Sequence, residues 1–439
     1  MRVALPIALT GLIGSSLSVV DNFMVGSLGE TAVAAVGAGI QPFFVFWMIM
    51  VGFTSGCATF MAQFWGTEDV KNIKKTLGFA ILASSSIGII FFIIGMFFPE
   101  VFANVYASDP DVRALAIEYI RAGSFCFLFL SVTIPIVFCL RSIQQTRLPL
   151  FTSVFAFAMS TFLNYVLIFG NFGAPELGVM GAALSTSIAR ALELILVLSI
   201  VFFRKNIIAG KLKEYFGWTK EFAKRVLYNA IPASTNQTLW GLGMTMYIAA
   251  FARVSVTAHA AVQLSNAVSH LFILAALSIG DAALILIGQR LGAGEKEYGY
   301  ELAKKLIKIG VIGGLISGAL LIAVSKPLIG IFTELTLQGQ RYMFYILLIY
   351  GAKMFITIVN GININGVLRS GGDTRYAMVV ESLAVWVIGV PIAFITTRFL
   401  RLPIYICVLF VRAEELVKFI ILLNRVRYKK WLNTVTTNL

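Results

Sequence analysis

Residues 140–147 read LRSIQQTR, and residues 368–375 read LRSGGDTR. The two stretches share their first three and last two residues, and further matches follow at nearly the same spacing. At an offset of 226 residues Pro6 recurs as Pro232, Thr31-Ala-Val-Ala-Ala-Val36 as Thr257-Ala-His-Ala-Ala-Val262, and Ala62-Gln-Phe-Trp-Gly66 as Gly288-Gln-Arg-Leu-Gly292. The matches keep their order along the chain. The sequence is therefore one design written twice, and the fold follows from what each copy contains.

Each copy is built for lipid. Of the 439 residues 59% are hydrophobic and 13% charged, with a mean hydropathy of +0.88. Soluble domains carry about 25% charged residues, so this chain has too little charge to cover a water-facing surface. Apolar runs long enough to cross a bilayer, about 20 residues each, fall at 3–27, 36–63, 76–98, 118–140, 150–170, 179–203, 226–252, 258–287, 303–325, 342–366, 376–398 and 403–424. The first run exceeds the apolar core of a cleavable signal and no small-residue cleavage site follows it. The alternating period of a membrane strand is absent. The reading is an all-α membrane protein with twelve transmembrane helices in two six-helix repeats.

Six is an even number, so both copies enter the bilayer from the same side and the repeats are parallel, related by an axis along the membrane normal. The expected organisation is a lobe over residues 1–203, a basic linker over 204–225, a second lobe over 226–424 and a tail over 425–439. Seven Lys and Arg (Arg113, Arg121, Arg253, Lys326, Arg341, Arg398, Arg401) fall on one side and four (Arg190, Lys353, Arg412, Lys418) within spans, leaving 24 of the 35 on the other. By the positive-inside rule both termini and the linker are cytoplasmic, in a multi-pass protein of the cell inner (plasma) membrane. This distribution accounts for the net charge of +14 without nucleic acid as a partner. Two like lobes able to rock about a shared cleft suit a secondary transporter.

Several chemistries are excluded. Gly288-Gln-Arg-Leu-Gly-Ala-Gly294 lacks the GK[ST] ending that would hold phosphate and magnesium, so it reads as a helix-end turn and not as an ATP site. The four cysteines show no metal-ligand spacing. His259 and His270 stack on one helix face but about 16 Å apart at 1.5 Å per residue, too far to share a metal. No converging nucleophile, acid or metal set marks an intramembrane enzyme, and no cofactor is expected.

An acid inside a span costs about 2.5–3.5 kcal/mol on insertion scales, so it persists where it faces a cavity or a partner. Asp21 is the leading candidate. Thr10, Gly14, Ser18 and Asp21 share one face of the first helix, unless Asp21 lies near enough to the outer interface to be solvated. Asn164 and Thr186 could add oxygens or serve as interhelical contacts. The repeat offset carries the Asp21 face onto Asn236, Trp240, Met244 and Tyr247 of the seventh helix, an aromatic and thioether surface suited to flat organic cations or to packing. Asn360, Asn363 and Glu381 could line the cleft of the second lobe, with Arg375 as the competing partner for Glu381. Arg190 with Glu193, and Arg412 with Glu415, sit at i and i+3, where mutual neutralisation is the simplest role.

The chain resembles the multidrug and toxic compound extrusion (MATE) family. The residues that carry the resemblance are LPIALTGLIGSSLSVVDNFMVGSLGETAVAAVG, AQFWG and LNYVLIFGNFGAPELGVMGAAL in the first half, and GQRLGAG, LRSGGDTR and WVIGVPIAF in the second. The resemblance implies a V-shaped pair of lobes in a single chain that acts as a monomer. It implies export of small organic cations in exchange for Na+ or H+, with Asp21 as the coupling acid and Pro6 where the first helix can bend. In the fifth helix it points to Ser160 and Asn164, so that Asp21 and Asn164, with Ser18, Asn22 and Thr186, could hold Na+. Where many members have an acid in the seventh helix this chain has Trp240. The alternative reading, a flippase for a lipid-linked precursor, would call for extra helices and a basic central cavity.

Overall fold

The computed structural model describes residues 3–332 and 335–437, apart from the side chains of residues 15, 18, 19, 22 and 274–277. Among the described residues the chain is helical, with no strand. Helices satisfy every backbone donor and acceptor internally, the condition for crossing hydrocarbon. Nine rods are long and apolar enough to span, among the described residues: α2 (Glu30–Gly66), α3 (Val70–Phe97), α4 (Phe125–Ser142), α5 (Arg147–Phe169), α6 (Gly178–Phe203), α8 (Val256–Gly292), α9 (Lys296–Ile331), α10 (Leu337–Leu368) and α11 (Thr374–Phe399). Three more complete the expected twelve: α1 (Ala4–Gly26), α7 (Lys220–Ala252) and α12 (404–427). α7 and α12 carry buried polar groups, Asn236, Glu414, Glu415 and Lys418, which dilute their hydropathy but are bonded inside the protein.

Side-chain caps set where several rods begin. Asp69 accepts from the Asn72 amide at 3.0 Å, Ser255 from Ala258 at 3.0 Å and Thr336 from Gly339 at 3.2 Å, each taking up a backbone donor that the helix start leaves free. Wide turns of the π type occupy Ile362–Leu368 in α10 and two stretches of α11.

Contacts divide the chain into two units, Leu9–Leu227 and Tyr228–Leu439, the latter with the N-terminal stretch up to Ala8. The dividing point at the N-terminus falls inside α1, where Ile7, with Val3 just before the helix, packs on Ala282 and Ile285 of α8. Pro6, expected at a bend, lies in the first turn of α1, where a missing amide hydrogen costs nothing, and the helix runs unbroken from Ala4 to Gly26. Its repeat partner Pro232 sits well inside α7 instead.

In each unit the chain leaving the sixth helix docks on the loop between the fourth and fifth. In the first unit Asn206 donates to Gln145 at 2.5 Å, Lys74 pairs with Glu214 at 2.6 Å, and Trp218 meets Phe79 edge-on. The hydrogen bond from Lys74 holds the Glu214 carboxyl below its ordinary range. In the second unit Arg425 donates to both oxygens of Asp373, at 2.7 and 3.1 Å. Gln145 and Asp373 are equivalent positions of the two quoted stretches.

The next residues of the tail are seated more closely. Trp431 is fully buried, and Thr434 donates to the Leu291 carbonyl at 3.1 Å. A Cβ at Gly371 would overlap the Trp431 carbonyl, and one at Gly372 would overlap Val435. Gly372 has φ +73°, and its counterpart Gln144 has φ +62°. The turn shape is therefore common to both loops, while Gly371 is specific to the loop that takes the tail.

Candidate functional site

The site in the first unit is placed by small and branched residues. Val25, near the end of α1, packs with Ile168 of α5 and Val179, Ala182 and Ala183 of α6, all of them buried. Apolar burial is no driving force in lipid, so close packing of small residues carries the contact. Asp21 lies one turn before Val25 on the same face. Asn164 of α5 donates its amide to Asp21 Oδ1 at 2.5 Å.

Two more oxygens complete the α5 surface. Asn164 and Ser160 are 0% and 1% exposed, and neither Asn164 Oδ1 nor Ser160 Oγ has a hydrogen-bond partner. Buried polar atoms are nearly always bonded, so a carboxylate flanked by spare oxygens is a place for a cation or a proton. Thr186 spends its hydroxyl hydrogen on the Ala182 carbonyl at 3.2 Å and keeps its acceptor capacity. Arg190 donates to Glu193 at 2.7 Å, the pairing expected from their spacing. The side chains of Ser18 and Asn22 lie outside the described residues.

The second unit places its polar residues differently from the expected cavity lining. Asn236 donates to Glu381 at 2.8 Å, and Tyr247 donates to Glu414 at 2.7 Å. Asn360 donates to the Glu415 carboxylate at 2.7 Å and to its carbonyl at 2.9 Å. Asn236, Tyr247, Asn360, Asn363 and Glu381 are all 8% exposed or less, so they face the interior of the unit, whereas Trp240 and Met244 are half-buried at the edge of its core. Neither polar end of the Asn363 side chain is bonded. Arg375 lies over the Tyr228 ring at 3.6 Å, so Asn236 and not Arg375 partners Glu381.

The expected Arg412–Glu415 pair is not the pairing found. Arg412 and Ala413 join two helical segments while keeping right-handed helical dihedrals, so the spacing is preserved and the neighbours of each side chain decide the pairing. Glu415 takes Lys418 at 3.0 Å, Glu414 lies 3.7 Å from the same ammonium, and Arg412 turns to the faces of Tyr350 and Tyr247. Glu414 and Lys418 were missed as a site although their i, i+4 spacing was visible, because the partners Tyr247 and Asn360 come from distant helices.

A membrane-spanning bundle of two repeats, with a carboxylate in one and a buried charged network in the other, is the build of a transporter. The MatE family profile matches residues 6–166 and 230–395. The chain belongs to the MATE family. Its relatives include the probable multidrug resistance protein YoeA of Bacillus subtilis, 25% identical with 91% of this chain and 86% of that protein covered. The probable multidrug resistance protein NorM of Thermotoga maritima is 23% identical, with 92% and 86% covered. Crystal structures of MATE in straight and bent conformations match with TM-scores of 0.88 and 0.86 at 17% and 18% identity, each covering 98% of this chain and 96% and 95% of theirs. They share its fold.

Proposed function

We propose that this protein is a secondary antiporter that exports organic cations from the cytoplasm in exchange for Na+ or H+. The observation that carries the reading is the Asp21–Asn164 pair, flanked by the unbonded oxygens of Asn164 and Ser160. The names of the relatives, multidrug resistance proteins, support the substrate class.

Exchange requires a group that cannot serve both ligands at once, since coupling is a free energy between two binding events. A carboxylate supplies it. When the coupling cation or proton neutralises Asp21, its pull on a positively charged drug weakens; when Asp21 is empty, its charge draws the drug in. The inside-negative potential helps reload the site from outside, by about 2.3 kcal/mol per charge per 100 mV across the full membrane. Trp240 and Met244 offer a flat aromatic ring its stacking surface. The carboxylate is exposed to the two sides of the membrane in turn.

The test is Asp21→Asn in vesicles with sodium and pH gradients imposed separately. Asparagine keeps shape and hydrogen bonding but removes the charge, so the variant is expected to insert and fold while exchange is nearly abolished. Transport equal to the parent under either gradient would make Asp21 a structural residue.

A further inference from the structure

The linker that leaves α6 is a fixed part of the first unit, and one of its faces does the fixing. Asn206 donates to Gln145, Ile208 is buried, and the Tyr215 hydroxyl donates to the Ile208 carbonyl at 2.6 Å. Glu214 pairs with Lys74, and a Cβ at Gly78 would overlap the Tyr215 carbonyl. Leu212–Phe216 forms a short helix. At about 100° per residue, Glu214 and Tyr215 lie on its seated side, while Leu212, Lys213 and Phe216 share the opposite side.

That outer side is apolar and basic. Leu212 is 76% exposed, and Phe216 is exposed with it. The series starts on the spanning helix: Ile188, Ile195 and Phe202, at i, i+7 and i+14, form one exposed stripe of α6, which meets lipid tails, and Phe203 at its end is 87% exposed. Exposed Ile207 carries the series into the linker. Arg204, Lys205 and Lys213 stand among these residues and make no ion pair among the described residues, because both acids of the linker are engaged, Glu214 with Lys74 and Glu221 with Arg225. The tail that takes the corresponding place in the second unit turns its bulky Trp431 inward, fully buried. Outward apolar groups are therefore no requirement of the seat.

We propose that the linker is an interfacial anchor for anionic phospholipid: Leu212 and Phe216 enter the acyl boundary of the cytoplasmic leaflet, and Arg204, Lys205 and Lys213 bind the negatively charged headgroups above it. Apolar insertion and attraction to anionic lipid together hold a segment in the interface more firmly than either does alone. The long apolar stems of lysine and arginine let the charges reach the headgroup level while the chain beside them stays in the boundary. The anchor fixes the cytoplasmic end of the first unit at the membrane surface, where the chain passes on to α7. The inference rests on the cytoplasmic placement of the linker and is independent of the role given to Asp21.

The test attaches a bimane fluorophore at Lys211→Cys, next to Leu212, in the full chain reconstituted into vesicles of phosphatidylcholine and phosphatidylglycerol; the four native cysteines are buried. A nitroxide near the top of the acyl chain is carried either by phosphatidylglycerol or by phosphatidylcholine, at the same mole fraction. At low salt the phosphatidylglycerol probe is expected to quench about twofold more strongly than the phosphatidylcholine probe. In R204Q/K205Q/K213Q the two probes should quench equally. In L212Q/F216Q, which alters exposed side chains only, quenching by both should fall. Equal quenching by the two probes in the parent sequence, or a preference that survives R204Q/K205Q/K213Q, overturns the headgroup contact. Undiminished quenching in L212Q/F216Q overturns the insertion, and no quenching by either probe leaves this face to water or a soluble protein and overturns the anchor. Both leaflets carry the same lipids, so the readout does not depend on which way the protein is inserted; labelling of the linker with an impermeant maleimide decides that separately.

Discussion

Replacing Lys418 with methionine tests whether the charged cluster on α12 holds the second unit together. Lys418 is 1% exposed and lies between Glu415 at 3.0 Å and Glu414 at 3.7 Å. Methionine keeps most of the volume and removes the charge, leaving two buried carboxylates side by side. Removing one partner of a buried ion pair costs about 3–5 kcal/mol. Here the lower end applies, because Glu414 keeps the Tyr247 hydroxyl and Glu415 keeps the Asn360 amide. At roughly 2–4 °C per kcal/mol for a unit of this size, the unfolding midpoint should fall by about 6–12 °C.

The buried cysteines supply the assay. Cys57, Cys126 and Cys139 belong to the first unit and Cys407 to the second, all of them free and buried. A variant retaining only Cys407 reports opening of the second unit through a thiol-reactive dye during heating. Lys418→Met should shift that transition while exchange per folded molecule stays near the parent. The triple variant E414Q/E415Q/K418M removes both carboxylates together with the ammonium they bind and should recover part of the loss, the remainder reflecting Arg412, which loses its acidic neighbours. An unchanged midpoint in Lys418→Met, or a triple variant less stable than the single, would refute the electrostatic account.

Trp240→Ala should weaken binding of a flat aromatic cation by about 0.5–2 kcal/mol and leave coupling-ion binding unchanged, as measured by fluorescence titration; equal affinity removes Trp240 from the drug surface. Gly371→Leu should lift the tail from its seat, since the new side chain would collide with the Trp431 carbonyl, and limited proteolysis should then cut after residue 427 at a lower protease concentration; equal resistance would mean that the tail is held elsewhere. Single cysteines placed in the linker, for example at Lys213, should react with an impermeant maleimide only from the cytoplasmic face, and labelling from outside intact cells would reverse the topology.

Composition and periodicity were enough for the membrane class, because apolar runs of spanning length have no other stable home than lipid. The duplicated stretches were enough for two six-helix repeats, and the lone acid in the first span marked Asp21. Its partner Asn164 is 143 residues away, and the family resemblance, not any local pattern, singled it out. Pro6, expected as a place where the first helix can bend, lies in the first turn of a helix that is continuous in this structure; a proline's effect depends on how many turns precede it, which the sequence does not fix. Asn236 and Tyr247 read equally as a surface for flat cations or as a packing stripe, and in the structure both donate to acids of α11 and α12. Sequence spacing tells which residues share a helix face; it does not tell which other helix that face meets. Lys418, Glu414 and Glu415 illustrate the same divide: their mutual spacing is written in one short stretch, but whether three charges are solvated or buried depends on Tyr247 and Asn360 arriving from other helices. Tertiary packing alone decides which charges find a partner inside the protein.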